Sequence, residues 1–253
     1  MSKFILREQE QLSEFAESLS NFDTLHLSAL AICLLAIIVI PIIGYYASAT
    51  NQKRMVWGLV AFAIIQEVVD YSNRANIHGL TLTEDLPLHL CNYSLIIAAI
   101  GLAKRKQFYF EFAYLIGTTA ALQAMVTPSP TGIDNMTYYI TFFIQHALII
   151  LFPIWNIVVD QMVTTRGAIL RTMLIVNFMI LPVSIVNWIT GANYMYLCTK
   201  PNTESPFLIG EWPWYLIGLE ASALLLMSAA CIPMIFLRKW RSTRSIAKSD
   251  QHH

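Results

Sequence analysis

A histidine, a thiol and an amide lie within four residues of one another in the stretch Leu86–Asn92, as His89, Cys91 and Asn92. The stretch opens a long apolar segment, where ionisable groups are costly in a bilayer and therefore mark candidate functional sites. A cysteine becomes a nucleophile for acyl transfer when a base lies within hydrogen-bond reach of its thiol. The residue types therefore indicate cysteine-dependent chemistry on an acyl ester.

His89 is not the expected base for Cys91, because side chains two residues apart point about 200° apart around a helix. His146 is the better candidate, in another apolar segment and ten residues after its start at Met136. A rise of 1.5 Å per residue puts Cys91 and His146 at depths of roughly 8 Å and 15 Å. Packed or tilted helices can bridge that difference, so the spacing predicts Cys91 as nucleophile and His146 as base.

Further polar side chains at similar depth extend this site into a predicted polar cavity open to the outer half of the membrane. Membrane carboxylates need partners, and Arg74 and the two histidines are the candidates; Glu67 or Asp70 is expected to orient a histidine. Packing roles for the cysteine and hydrogen-bonded core roles for the histidines stay open as alternatives. The predicted supporting residues are His89, Asn92, Glu67, Asp70, Gln123, Tyr139 and Asn193.

The composition indicates an integral membrane protein, since 56% of the residues are hydrophobic and only 13% are charged. Sixteen basic residues balance sixteen acidic ones, so the net charge gives no indication of a nucleic-acid partner. The four cysteines are too scattered for a zinc site or a disulfide framework. Membrane lipids are the expected partners, as solvent and as substrate, and no metal or soluble cofactor is expected.

Seven apolar segments approach the roughly 20 residues that a membrane-spanning helix needs. The second is the weakest, because its apolar run from Met55 to Ile65 is followed by polar residues. The third is expected to begin at Leu86, capped by Asp85, Thr83 or Thr81. The segments are residues 25–47, 55–72, 86–103, 108–127, 136–159, 168–190 and 211–237.

Basic residues alternate between the connections of these segments and supply an independent test of the count. Lys53-Arg54, Lys104-Arg105-Lys106 and Arg166 with Arg171 fall on one side only if the weak second segment spans the membrane. The positive-inside rule then predicts an all-α bundle of seven transmembrane helices, with the N-terminus outside and the C-terminus cytoplasmic.

The predicted organisation is one transmembrane domain, residues 25–237, between two terminal segments. Apolar residues recur at roughly helical spacing among charges in residues 1–24, which predicts an interfacial amphipathic helix; a frayed polar tail is the alternative. Residues 238–253 are predicted to form a basic cytoplasmic tail.

Four motifs between residues 60 and 220 resemble the bacterial YwaF-like integral membrane proteins, a family related to a vertebrate multi-pass acyltransferase that remodels ether phospholipids. The resemblance implies transfer of acyl chains between phospholipids in a bacterial plasma membrane, with Cys91 as nucleophile, His146 as base, and His89 and Asn92 in support. Hydrolases of fatty-acid esters of hydroxy fatty acids are similar in layout but use threonine. The motifs are Leu86-Pro87-Leu88-His89-Leu90-Cys91, His146, Asn193-Tyr194-Met195-Tyr196-Leu197 with Lys200-Pro201, and Gly210-Glu211-Trp212-Pro213-Trp214-Tyr215.

The leading hypothesis is therefore a membrane acyltransferase or lipid hydrolase that acts on phospholipid acyl esters from the outer leaflet. The alternative is a non-enzymatic transporter of a small solute or a receptor-like sensor that uses the same polar cavity. In that alternative Glu67, Asp70 and Glu220 would relay protons.

Overall fold

The computed structural model describes residues 21–128, 135–200, 208 and 210–249, and across them the regular structure is helical. Within these residues seven helices follow one another, with a short 3-10 turn at Tyr194–Tyr196 between the last two. The helices are α1 (Thr24–Tyr46), α2 (Ala49–Ile77), α3 (Leu90–Lys104), α4 (Gln107–Phe112, a π-helical turn at Ala113–Gly117, then Thr118–Val126), α5 (Met136–Val158), α6 (Ala168–Thr190) and α7 (Trp214–Ser249).

Five of these helices, α1, α2, α5, α6 and α7, are long and apolar enough to cross a membrane. The chain is therefore a multi-pass membrane protein, as its composition predicts. The other two differ from the expected uniform spans, because α3 has only 15 residues and a π-helical turn interrupts α4. Predicted and observed bounds agree to within one residue for α1 and α5 and are the same for α6.

The centre of the bundle is α5, which packs against α1, α2, α3 and α4. The half of α5 that follows His146 lies in an apolar core, where Ile149, Phe152 and Trp155 are fully buried. The Trp155 ring lies directly against Gly44 of α1, so that a Cβ at this position would overlap the ring. His146 is therefore carried by the most buried of the five long apolar helices.

The weak second segment is a full helix, because its polar residues bind α5. Glu67 accepts a hydrogen bond from Gln145 at 2.9 Å, and Asp70 accepts one from Thr141 at 2.7 Å. Interhelical hydrogen bonds of this kind offset the cost of carrying polar groups into a membrane helix. As a result α2 runs from Ala49 to Ile77, well beyond the predicted 55–72.

The predicted start of α3 is wrong: the helix begins at Leu90, not at Leu86, and His89 occupies the N-cap position. Residues 79–89 instead form turns and bends. The Tyr194 hydroxyl holds this segment, accepting from the Leu86 amide at 2.9 Å and donating to the Leu82 carbonyl at 3.0 Å. Burial raises the pKa of Tyr194, so the phenol keeps the proton that it donates.

The basic end of the bundle, where α3 and α5 end, is closed by ion pairs and charged hydrogen bonds. Arg105 pairs with Asp160 at 2.9 Å, and Arg171 pairs with the buried Glu111 at 2.7 Å. Arg241 of α7 donates to the Ile157 carbonyl at 3.1 Å. Arginines that follow α3, begin α6 and lie near the end of α7 therefore all bind at this end of the bundle. Its cytoplasmic location stays a prediction.

The predicted terminal segments are only partly covered by the described residues. Residues 1–20 of the expected interfacial helix lie outside them, and α1 begins at Thr24, capped by the Asp23 side chain. At the other terminus, α7 continues past residue 237 to Ser249.

Candidate active site

The predicted thiol and imidazole are in contact. His146 Nε2 lies 3.2 Å from Cys91 Sγ, and its Nδ1 lies 2.8 Å from the Phe142 carbonyl oxygen. A carbonyl only accepts hydrogen bonds, so Nδ1 carries a proton and the neutral ring presents the Nε2 lone pair to the thiol. His146 is only 3% exposed, whereas Cys91 is half-buried. The arrangement is that of a thiol donating to a base.

The depth of Cys91 follows from the late start of α3. Because the helix begins at Leu90, Cys91 is its second residue, and the whole helix starts at the level of His146 in α5. The amides of Asn92 and Tyr93 donate to the His89 carbonyl at 3.1 and 3.3 Å. The amides of Leu90 and Cys91 have no backbone acceptor among the described residues, so the positive end of the helix dipole faces the site.

Aromatic rings fix the orientation of the base. The Phe142 ring lies one turn before His146 with its centroid 4.2 Å from the imidazole centroid. The backbone carbonyl of the same residue holds Nδ1. The residue preceding His146 by one helical turn therefore sets both the tautomer and the plane of the imidazole.

Neither predicted carboxylate orients a histidine. Glu67 binds Gln145, and Asp70 binds Thr141 and Arg74, at 2.9 Å in the latter case. The expectation that Arg74 pairs with a carboxylate is met, but the orienting partner of His146 is a backbone carbonyl. A carbonyl four residues earlier is present in any helix and carries no residue-type signal, so sequence reasoning had no means of finding it.

Comparison with known proteins assigns the chain to a family. The model of the TMEM164 family matches residues 21–231. The chain belongs to the TMEM164 family. The match contains both Cys91 and His146 and the whole range over which the YwaF-like motifs occur. Searches of curated proteins and of solved structures found no match.

Tyr138, not Tyr139, is the tyrosine on the site side of this TMEM164-family protein. The Tyr139 ring packs against Phe143, and its buried hydroxyl has no hydrogen-bond partner in the described part of the chain. Tyr139 belongs instead to the apolar cluster that contains Cys33 of α1 and Phe143. The Tyr138 hydroxyl accepts from Arg74 at 3.3 Å, and the same guanidinium lies 3.6 Å from Asp85 in the segment that leads to Cys91.

His89 and Asn193 form hydrogen bonds with the residues that follow α6. His89 Nδ1 accepts from the Met195 amide at 3.4 Å, and its ring centroid lies 5.2 Å from that of Tyr194. Asn193 donates to the Thr199 carbonyl at 2.9 Å and accepts from the Cys198 amide at 3.0 Å. Both residues therefore hold residues 193–199 in place, and among the described contacts neither forms a hydrogen bond with Cys91.

Asn92 and Gln123 remain candidates for stabilising an oxyanion. Asn92 is half-buried in the first turn of α3, immediately after Cys91, and Gln123 is half-buried near the end of α4. Within the described ranges, no three His, Cys, Asp or Glu side chains are grouped as metal ligands would be. The contact between Cys91 and His146 offers thiol and imidazole chemistry.

Proposed function

We propose that this TMEM164-family protein is a membrane-embedded acyltransferase or lipid hydrolase that acts on phospholipid acyl esters. The observation that carries the proposal is the 3.2 Å contact between Cys91 Sγ and His146 Nε2, with Nδ1 anchored on the Phe142 carbonyl. A nucleophile, a base and a group that orients the base are the three parts that covalent acyl transfer needs. Because the surrounding helices are apolar enough to lie in a membrane, lipid esters are the expected substrates.

In the first half-reaction, Sγ bonds to the ester carbonyl carbon while the thiol proton passes to His146 Nε2. The amides of Leu90 and Cys91 stabilise the resulting oxyanion at the start of α3. The intermediate then collapses by breaking the bond between the carbonyl carbon and the glycerol oxygen. The imidazolium returns its Nε2 proton to that oxygen, which leaves as a lysophospholipid, and the acyl group stays on Cys91 as a thioester.

In the second half-reaction, the hydroxyl group of an acceptor lipid, or water, gives its proton to Nε2 and attacks the thioester carbonyl. The carbon–sulfur bond breaks, and the departing Cys91 sulfur takes the proton back from His146. A lipid acceptor makes the protein an acyltransferase, and water makes it a hydrolase. Throughout the cycle the Phe142 carbonyl accepts Nδ1–H and so favours the imidazolium when it forms.

The direct test is turnover of an acyl-labelled phospholipid by purified protein in liposomes. We expect the wild type to release lysophospholipid, and the Cys91→Ala and His146→Ala variants to lose most of that activity. Cys198→Ser is the matched control, because Cys198 is an exposed thiol in the loop after α6. Wild-type turnover by Cys91→Ala would refute the proposed nucleophile. Proton-driven uptake of a small solute, without lipid turnover, would favour a transporter or sensor.

A further inference from the structure

Arg74, near the end of α2, contacts three parts of the structure at once. Its Nε donates to Asp70 of the same helix at 2.9 Å. Its Nη1 lies 3.6 Å from Asp85 Oδ1, in the segment that precedes α3. Its Nη2 donates to the Tyr138 hydroxyl of α5 at 3.3 Å, and the guanidinium carbon stands 4.8 Å from the centre of that ring.

Two of these partners shortly precede the two reacting residues in the sequence. Asp85 precedes Cys91 by six residues, and Tyr138 precedes His146 by eight residues on the same helix. Asp85 is fixed in turn within its own segment, because its Oδ2 accepts from the Thr81 amide at 2.8 Å. A single guanidinium therefore joins the segment that delivers the thiol to the helix that carries the base.

The chemistry of the contacts requires an arginine. A guanidinium offers five donors in a planar fork, whereas a lysine offers one compact ammonium group that cannot reach three partners in different directions. The side chains of Asp70 and Asp85 are only 8% and 4% exposed. Removing their shared cation would leave two buried carboxylates without a counter-charge, and the segment before α3 would move to rehydrate them.

We propose that Arg74 is a positioning residue of the active site, which sets the distance between Cys91 and His146. It acts through Asp85 on one side and Tyr138 on the other and does not contact the reacting atoms. A displacement of about 1 Å in a reacting pair costs on the order of 100-fold in rate. The consequence for turnover rests on the proposed function, whereas the consequence for the thiol itself does not.

Arg105 provides the matched control at the opposite end of the same two helices. It follows α3 directly and pairs at 2.9 Å with Asp160, which follows α5. The 15 residues of α3 separate this pair from the thiol by roughly 20 Å. Arg105→Ala thus removes an arginine–aspartate tie between the same elements without touching the site.

The test measures how fast iodoacetamide alkylates Cys91, by mass spectrometry of the peptide that contains it, in the full-length protein. We expect Arg74→Ala to slow this reaction about tenfold, to the rate of His146→Ala, and Arg105→Ala to leave it unchanged. In a His146→Ala background, Arg74→Ala should have no further effect, because the two substitutions remove the same interaction. An equal change in both backgrounds would instead report altered access to the thiol and would overturn the proposal.

Two further measurements separate folding and function from positioning. Arg74→Lys keeps a cation beside the carboxylates, so we expect a folded protein with slow Cys91 alkylation; a wild-type rate would overturn the positioning role. If the wild type turns over no lipid while the alkylation results hold, the proposed function fails and the positioning role stands. If lipid turnover is normal in Arg74→Ala, the positioning role fails and the proposed function stands.

Discussion

Hydrogen-bond direction determines what His146 can do at the site. Its Nδ1 faces a carbonyl oxygen, so the neutral ring has one free lone pair, and that lone pair faces Cys91 Sγ. We expect His146→Gln to fold but to lose about 10²- to 10⁴-fold in turnover, because an amide can accept the hydrogen bond without serving as a base. Initial rates of lysophospholipid release measure the effect. Turnover within a few fold of wild type would contradict the base assignment.

The two neighbouring tyrosines of α5 have different surroundings. Tyr139→Phe deletes a buried hydroxyl that has no partner in the described chain, whereas Tyr138→Phe deletes one that Arg74 binds. Removing an unsatisfied group is neutral or stabilising, while removing a hydrogen-bond partner of a charged group costs about 1.5–3 kcal/mol. We therefore expect Tyr139→Phe to hold or raise the melting temperature in detergent and Tyr138→Phe to lower it. The reverse order would contradict these environments.

The pairing of Cys91 with His146 could be predicted at this scale, because it depends only on residue types and on approximate depth in two helices. The choice between Tyr138 and Tyr139 could not, since one residue turns a side chain by about 100° and the sequence does not say which face meets α3. The same uncertainty applies to Asp70, which binds α5 rather than a histidine. Tertiary contacts decide such choices.

At the scale of elements, the packing of α1 on α5 depends on the absence of a side chain at Gly44. A Cβ there would overlap the fully buried Trp155 ring, which has no space in which to move. Gly58 of α2 is the matched control, because a Cβ there meets nothing within 4 Å. Overpacking costs about 1–3 kcal/mol, and an unhindered Gly→Ala change in a helix gains about 0.5–1 kcal/mol.

We expect Gly44→Ala to lower the melting temperature of the detergent-solubilised protein and Gly58→Ala to keep or raise it. Thermal unfolding followed by intrinsic tryptophan fluorescence gives the comparison. Equal melting temperatures for the two variants would show that α1 does not pack on α5 as described.

The observed helix bounds show which boundaries an apolar run predicts and which it does not. Apolar periodicity predicted α1, α5 and α6 closely, because their ends coincide with the ends of their apolar runs. The same pattern predicted a start for α3 that is four residues too early. Leu86 and Leu88 are apolar because they pack against the cluster that contains Tyr194, and not because they belong to the helix. The π-helical turn at Ala113–Gly117 has no distinctive residue pattern, and it was not predicted.

At the scale of the whole molecule, the charge distribution gives the bundle two unlike ends. The arginine-rich end holds the connections after α3 and α5, and the site end holds Arg74, the segment 79–89 and the exposed Cys198. The loop charges lead to the prediction that successive helices alternate in direction across the membrane. Which of the two ends faces the cytoplasm must be determined by experiment.

Thiol labelling in intact cells tests that sidedness. We expect a membrane-impermeant maleimide to label Cys198 from outside. A thiol introduced by Lys53→Cys, at the exposed start of α2, should react only after the cells are opened. Peptide mass spectrometry quantifies each site separately. Labelling of the Lys53→Cys thiol in intact cells would show that the orientation is the reverse of the predicted one.

Intact-protein mass spectrometry after incubation with phospholipid shows whether Cys91 forms a covalent bond with a lipid acyl group. We expect an added mass of one acyl chain, located on Cys91, released by hydroxylamine and absent from Cys91→Ser. Because His146 assists the attack, His146→Ala should form the adduct far more slowly. Lipid turnover by a protein that never carries an acyl group on Cys91 would show that Cys91 is not the nucleophile.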